Sequence, residues 1–160
     1  MSVKYQAIAQ SAVDYVRSVM TLGALNKLGD VIGSRGKSVI CVMAERSVEK
    51  EWSSLQTESL LRRVAAAAEE NGCGNCGEQS AVAFVYLLDH RVRPIDWMAL
   101  QKPGDHNFVV IGRVSGSDDT DPGTWGPAAI VCDPWKGKVY PPSMIVPMWK
   151  HKPHTNYRAD

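Results

Sequence analysis

Apolar residues recur near the start of the chain at Ile8, Val13, Val16, Met20 and Leu25. Spacings of three to five predict an amphipathic helix over residues 5–28, which Gly29, Gly33 and Gly36 then interrupt. Residues 38–43 are apolar and partly β-branched and predict a short buried strand, although a run this brief is ambiguous. Over residues 47–70, strong helix formers carry a stripe through Val48, Trp52, Leu55, Leu60, Leu61, Val64 and Ala67, predicting a second helix.

Turn chemistry at Asn71-Gly72-Cys73-Gly74 ends that helix. Asn75, with Glu78 three residues on, resembles a variant capping box that opens the next helix and puts Cys76 in its first turn. Residues 81–88 are apolar all round, so this helix is expected to be central and buried. After a break at Pro94 and a short segment at residues 96–100, a turn at 102–105 leads into residues 106–112, a strand by β-propensity that His106 opens. Residues 115–127 are rich in Ser, Gly, Asp and Pro and read as an exposed loop. The adjacent strand, residues 128–133, stops at Pro134, and Gly137 turns the chain into residues 138–140. The tail from Pro147 is polar, with His151, His154 and little that packs.

With 160 residues, 44% of them hydrophobic and 22% charged, the chain is expected to form one α+β domain. Eighteen basic residues against seventeen acidic ones leave a net charge of +1, so the balance points to neither nucleic acid nor a membrane surface. The longest apolar run, residues 81–88, falls far short of the roughly 20 residues a membrane helix requires. Residues 1–6 do not open a secretory signal, and the four cysteines, Cys41, Cys73, Cys76 and Cys132, are expected to be reduced thiols in a reducing compartment. That expectation also suits an effector made in one cytosol and delivered into another.

The chemistry lies in three short motifs: Gly74-Asn75-Cys76-Gly77-Glu78, Asp105-His106-Asn107-Phe108 and Val131-Cys132-Asp133-Pro134. A sulfur attacks a carbonyl as thiolate, so it needs a base, and the base works best when a third group fixes its tautomer. Cys76, His106 and Asp133 are the candidates for nucleophile, base and orienting carboxylate. A helix start favours an anion at Cys76 through its unpaired N–H groups and the positive end of the helix dipole. The backbone N–H of Cys76 is the natural first donor to an oxyanion.

In this order and spacing, the motifs resemble the transglutaminase-like fold within the papain-like superfamily, in particular its small bacterial effector and toxin domains. The resemblance covers about residues 71–140. It implies a central helix carrying Cys76 packed on an antiparallel sheet carrying His106 and Asp133. The chain itself is read as a single catalytic domain with a helical and strand portion at 1–46, a catalytic core at 47–146 and a polar tail at 147–160. It implies acyl transfer from an amide through a thioester and a protein substrate. Glutamine deamidation or transamidation is favoured, with proteolysis as the alternative. Relatives draw a second oxyanion donor from upstream; Trp52, Gln56 and Asn71 are candidates here, and Asn75 is a further supporting residue. A cognate immunity or inhibitor protein and a specialised delivery route also follow from the likeness, whereas neither cofactor nor metal does.

Blander readings compete. Cys73-Gly-Asn-Cys76 is a CxxC, open to redox or zinc chemistry, but no second ligand pair accompanies it. Gly72-x-Gly74-x-x-Gly77 matches a dinucleotide fingerprint but follows a helix-forming stretch instead of a strand. Cys132 is expected to pack inward, opposite Asp133. A catalytically silent binding domain on the same fold is the rival from a different class.

Overall fold

The computed structural model describes residues 3–49 and 57–160. Helices α1 (Val3–Val19), α2 (Leu28–Gly33), α3 (Lys37–Glu49), α4 (Thr57–Asn71) and α5 (Cys76–Asp89) precede β1 (Ile95–Leu100), β2 (Asn107–Ile111), β3 (Ile130–Asp133) and β4 (Lys138–Tyr140); α6 (Ile145–Trp149) and β5 (Pro153–Ala159) complete the chain. The strands form one antiparallel sheet in the order β4-β3-β2-β1-β5. The architecture is therefore α+β, with helices packed on a five-stranded antiparallel sheet.

Helix α5 is the centre, as its all-round apolar sequence requires. It packs against α1, α4, β1 and β2. One face of the sheet joins α5 through Ile95, Val109, Ile111, Ile130 and Cys132, while α1 contributes Ala12, Val13 and Val16 and α4 contributes Leu61 and Ala65. The other face buries Met98, Phe108, Val110 and Val131 with Trp125, Tyr140 and Ile145. Alternation along β2 therefore feeds two cores, which explains why Phe108 to Ile111 has no polar position. The loop of residues 115–127 is not wholly exposed: Trp125 is fully buried, and its Nε1 donates to the Asp118 carbonyl at 2.8 Å.

Several expected elements differ. The first helix stops at Val19, and the chain swings across the turn before α5: Gly23 takes φ +72°, bridges to Cys73, and accepts from the Gly74 N–H at 3.1 Å. Residues 38–43 lie in helix α3 instead of a strand. Ser34 starts this helix locally, its Oγ accepting from the Ser38 N–H at 3.1 Å, and no neighbouring strand offers the run a ladder. The helix expected over residues 47–70 is seen as the end of α3 and as α4; Trp52, Leu55 and Gln56 lie outside the described residues.

The tail is not loose. Strand β5 pairs with β1, and Tyr157 packs its ring 5.7 Å from Phe84. Fully buried Asp96 on β1 receives Arg158 Nη1 at 2.9 Å and Arg113 Nη2 at 2.7 Å, tying the tail to the loop after β2. The tail's polar composition is that of an edge strand whose backbone bonds and paired charges hold it in place. Among the described residues, no helix is long and apolar enough to cross a membrane.

These assignments separate neighbouring side chains. Ile40 is 73% exposed on α3 and Val42 is fully buried. Urea unfolding of Ile40→Ser is expected to stay within about 0.5 kcal/mol of the parent, whereas Val42→Ala costs clearly more. Phe84→Ala, at the centre of α5, is expected to cost about 3–5 kcal/mol.

Candidate active site

Cys76 is the first residue of α5 and is 7% exposed. The motif around it builds that position. Glu78 Oε2 accepts from the Asn75 N–H at 2.7 Å, the returning half of a capping box. Asn75 Oδ1 accepts from the Leu25 N–H at 3.0 Å and the Asn26 N–H at 3.3 Å, so its side chain anchors the loop of residues 22–27. Gln79 Nε2 donates to the Gly74 carbonyl at 2.9 Å. A Cβ on Gly74 would overlap Glu78 Cβ and lie 2.8 Å from Met20 Cε, so only glycine fits there.

His106 immediately precedes β2 and is 3% exposed; Asp133 closes β3 and is fully buried. His106 Nε2 lies 2.8 Å from Asp133 Oδ2. The Cys76 side chain is near enough to the imidazole to influence its charge. The three residues singled out in the sequence thus converge, with His106 in the middle. Burial works against charge on His106, but the hydrogen bond and charge of Asp133, with the neighbouring Cys76 side chain, outweigh that cost and raise its pKa to about 9.

Asp133 is held on both oxygens. Oδ2 also accepts from the Tyr140 hydroxyl at 2.9 Å, and Oδ1 accepts from the Lys136 N–H at 3.0 Å. Trp149 Nε1 donates to the Tyr140 oxygen at 3.3 Å, and the Trp149 ring stacks on His106 with centroids 3.9 Å apart. Trp135 meets the imidazole edge-on at 5.6 Å. These rings keep water from the His106–Asp133 bond, and a stacked indole also favours the imidazolium. Tyr140 and Trp149 were invisible in the sequence because each reaches the site from its own element. Trp135 alone carried a signal, standing two residues after Asp133 and just past the third motif.

The supporting residues fare differently. Asn75 sits beside Cys76 with its Oδ1 occupied as above. Asn71 is exposed at the end of α4. Trp52 and Gln56 lie outside the described residues. The expectation of four reduced thiols is overturned: Cys41 on α3 and Cys73 form a disulfide, leaving Cys76 and Cys132 free. The CxxC is thereby split between a bonded and a free sulfur. Burial, aided by the charge of Asp133, pushes the Cys132 thiol well up, so it is a poor nucleophile. Among the described residues, no three His, Cys, Asp or Glu side chains are grouped to hold a metal ion.

No protein-family model matches this chain, and no curated protein matches it. The functional argument therefore rests on the geometry.

The raised His106 pKa has two measurable consequences. In Asp133→Asn the imidazole loses its charged partner but stays buried, so its NMR titration midpoint is expected to fall from about 9 toward or below the ordinary 6.5. A group whose pKa is higher folded than unfolded stabilises the fold below its unfolded value and loses that contribution as pH rises through the folded one. Chemical unfolding should thus show stability declining between pH 6.5 and about 9, with that component missing in His106→Gln.

Proposed function

We propose that this protein is a cysteine-dependent acyl-transfer enzyme acting on amide groups of proteins through a thioester. The observation that carries the reading is His106 bonded through Nε2 to buried Asp133 at 2.8 Å, with Cys76 at the start of α5 close enough to influence the imidazole's charge. A structural histidine needs neither a thiol nor a buried carboxylate.

In the proposed reaction, His106 holds the proton taken from Cys76, and the thiolate attacks the amide carbonyl. The Cys76 N–H, in the first turn of α5, is positioned as a donor to the oxyanion. Collapse of the tetrahedral intermediate breaks the C–N bond, His106 returns the proton to the departing nitrogen, and the acyl group stays on sulfur as a thioester. Water or an amine then attacks that thioester, with His106 again accepting the proton. Asp133, fixed by Tyr140 and Lys136, keeps the imidazole oriented through both halves.

On this reading the core is papain-like and transglutaminase-like, with glutamine deamidation or transamidation the favoured outcome. The observed layering of a central helix on an antiparallel sheet supports it. By the same resemblance the enzyme is an effector or toxin domain, and its Cys41–Cys73 disulfide fits delivery into an oxidising compartment better than residence in a reducing one.

Only two thiols are free, which makes the test direct. Iodoacetamide near neutral pH is expected to alkylate Cys76 much faster than Cys132, and His106→Ala is expected to remove that preference. Equal, slow labelling would refute the enzyme reading. With a protein substrate, intact mass distinguishes hydrolysis of a glutamine amide, attachment of an added amine and chain cleavage. His106→Ala is expected to slow whichever occurs by ~10²–10⁴-fold.

A further inference from the structure

A cavity of about 740 Å³ lies beside the candidate site and has a strongly basic lining. Arg17, Lys27, Arg35 and Lys37 line it, with Asp30 as its one acidic residue. Asp30 is already engaged, its Oδ2 accepting from the Ala24 N–H at 2.9 Å. None of the four cations forms an ion pair with a carboxylate among the described residues. A chain of net charge +1 thus gathers four cations around one cleft.

The cleft shares walls with the catalytic groups. Gln79, which lines it, is one helical turn beyond Cys76, about 4.5 Å along the axis of α5. Pro134, which also lines it, follows Asp133. Lys27 Nζ donates to the Trp135 carbonyl at 3.0 Å, and Trp135 in turn meets the His106 ring. The Arg17 guanidinium rests against Gly137 in the same turn, where a Cβ would come within 2.9 Å of Nη2. An extended peptide advances roughly 3.3–3.6 Å per residue, so residues two to four places from an amide held at Cys76 reach this cleft.

We infer that the cleft recognises an acidic stretch of the protein substrate, flanking the residue whose amide is attacked. The cations are spread over α1, the loop of residues 22–27, the α2–α3 turn and the start of α3, which suits a line of carboxylates along a chain better than one compact anion. Gly29 and Gly33 line the same space, and a Cβ on either would meet nothing within 4 Å, leaving room for a peptide backbone. This inference deepens the proposed function and rests on its assignment of Cys76.

The test is fluorescence anisotropy with a labelled peptide bearing one glutamine flanked by glutamates, against a counterpart flanked by lysines. Cys76→Ala protein is used so that binding is read without turnover. The acidic peptide is expected to bind at least about tenfold more tightly, and the double variant Arg35→Glu, Lys37→Glu to lose about tenfold. That preference should collapse at 1 M salt, where the Debye length is about 3 Å. Both substituted residues are exposed, and an unchanged circular dichroism melt would verify the fold. No preference for the acidic peptide, or a preference the double variant retains, overturns the inference. So does tripolyphosphate that binds at these cations while the acidic peptide does not. Because binding is measured apart from alkylation of Cys76, an inert Cys76 with acidic-peptide binding would sink the enzyme reading and leave the cleft as an acidic-peptide site without a substrate role, and a reactive Cys76 without that binding would sink only this inference.

Discussion

A helix that is apolar on every side has to be enclosed, and enclosing α5 buries its first turn together with its flanks. Buried N–H groups without partners are costly, so the chain must cap that end from within. Glu78 does so by reaching back to Asn75, and Asn75 passes the constraint on by gripping the backbone of residues 25 and 26. The result draws the segment after α1 across the turn at Gly72–Gly74 and stops α1 at Val19. The enclosed helix start that the fold must cap is also where Cys76 sits.

The second constraint is a buried charge. Asp133 has no access to water, and its desolvation is offset only because each oxygen finds a donor, from His106, Tyr140 and the Lys136 N–H. That arrangement needs four parts of the chain at once: the residue before β2, the end of β3, the hairpin turn beyond it and β4. Trp149 on α6 then closes over the imidazole, so a segment that reads as a polar tail becomes the roof of the site. The surrounding rings leave the imidazole little freedom to turn, which is the preorganisation a proton relay requires.

Much of the central architecture was legible locally. The capping pattern at Asn75 and Glu78 placed Cys76 at a helix start, the apolar run 81–88 marked the buried helix, and Pro134 and Gly137 bracketed the β3–β4 turn that presents Asp133. What misled was always a segment whose fate depends on distant partners. Residues 38–43 have strand-like composition, yet with no ladder to join they follow the cap Ser34 provides. The tail looked unpackable because Arg158 and Tyr157 owe their places to Asp96 and Phe84, more than sixty residues away.

By itself the sequence determined which residues could do chemistry and the local backbone that presents each, since caps, turns and periodicity act over a few neighbours. Only the tertiary structure decided that His106 lies between Cys76 and Asp133, that Trp149 and Tyr140 belong to the same site, and that Cys41 rather than Cys76 pairs with Cys73. Those outcomes depend on how α5 is enclosed and how the strands align. Contacts across dozens of residues are set by the packing of the whole chain, which no local pattern encodes.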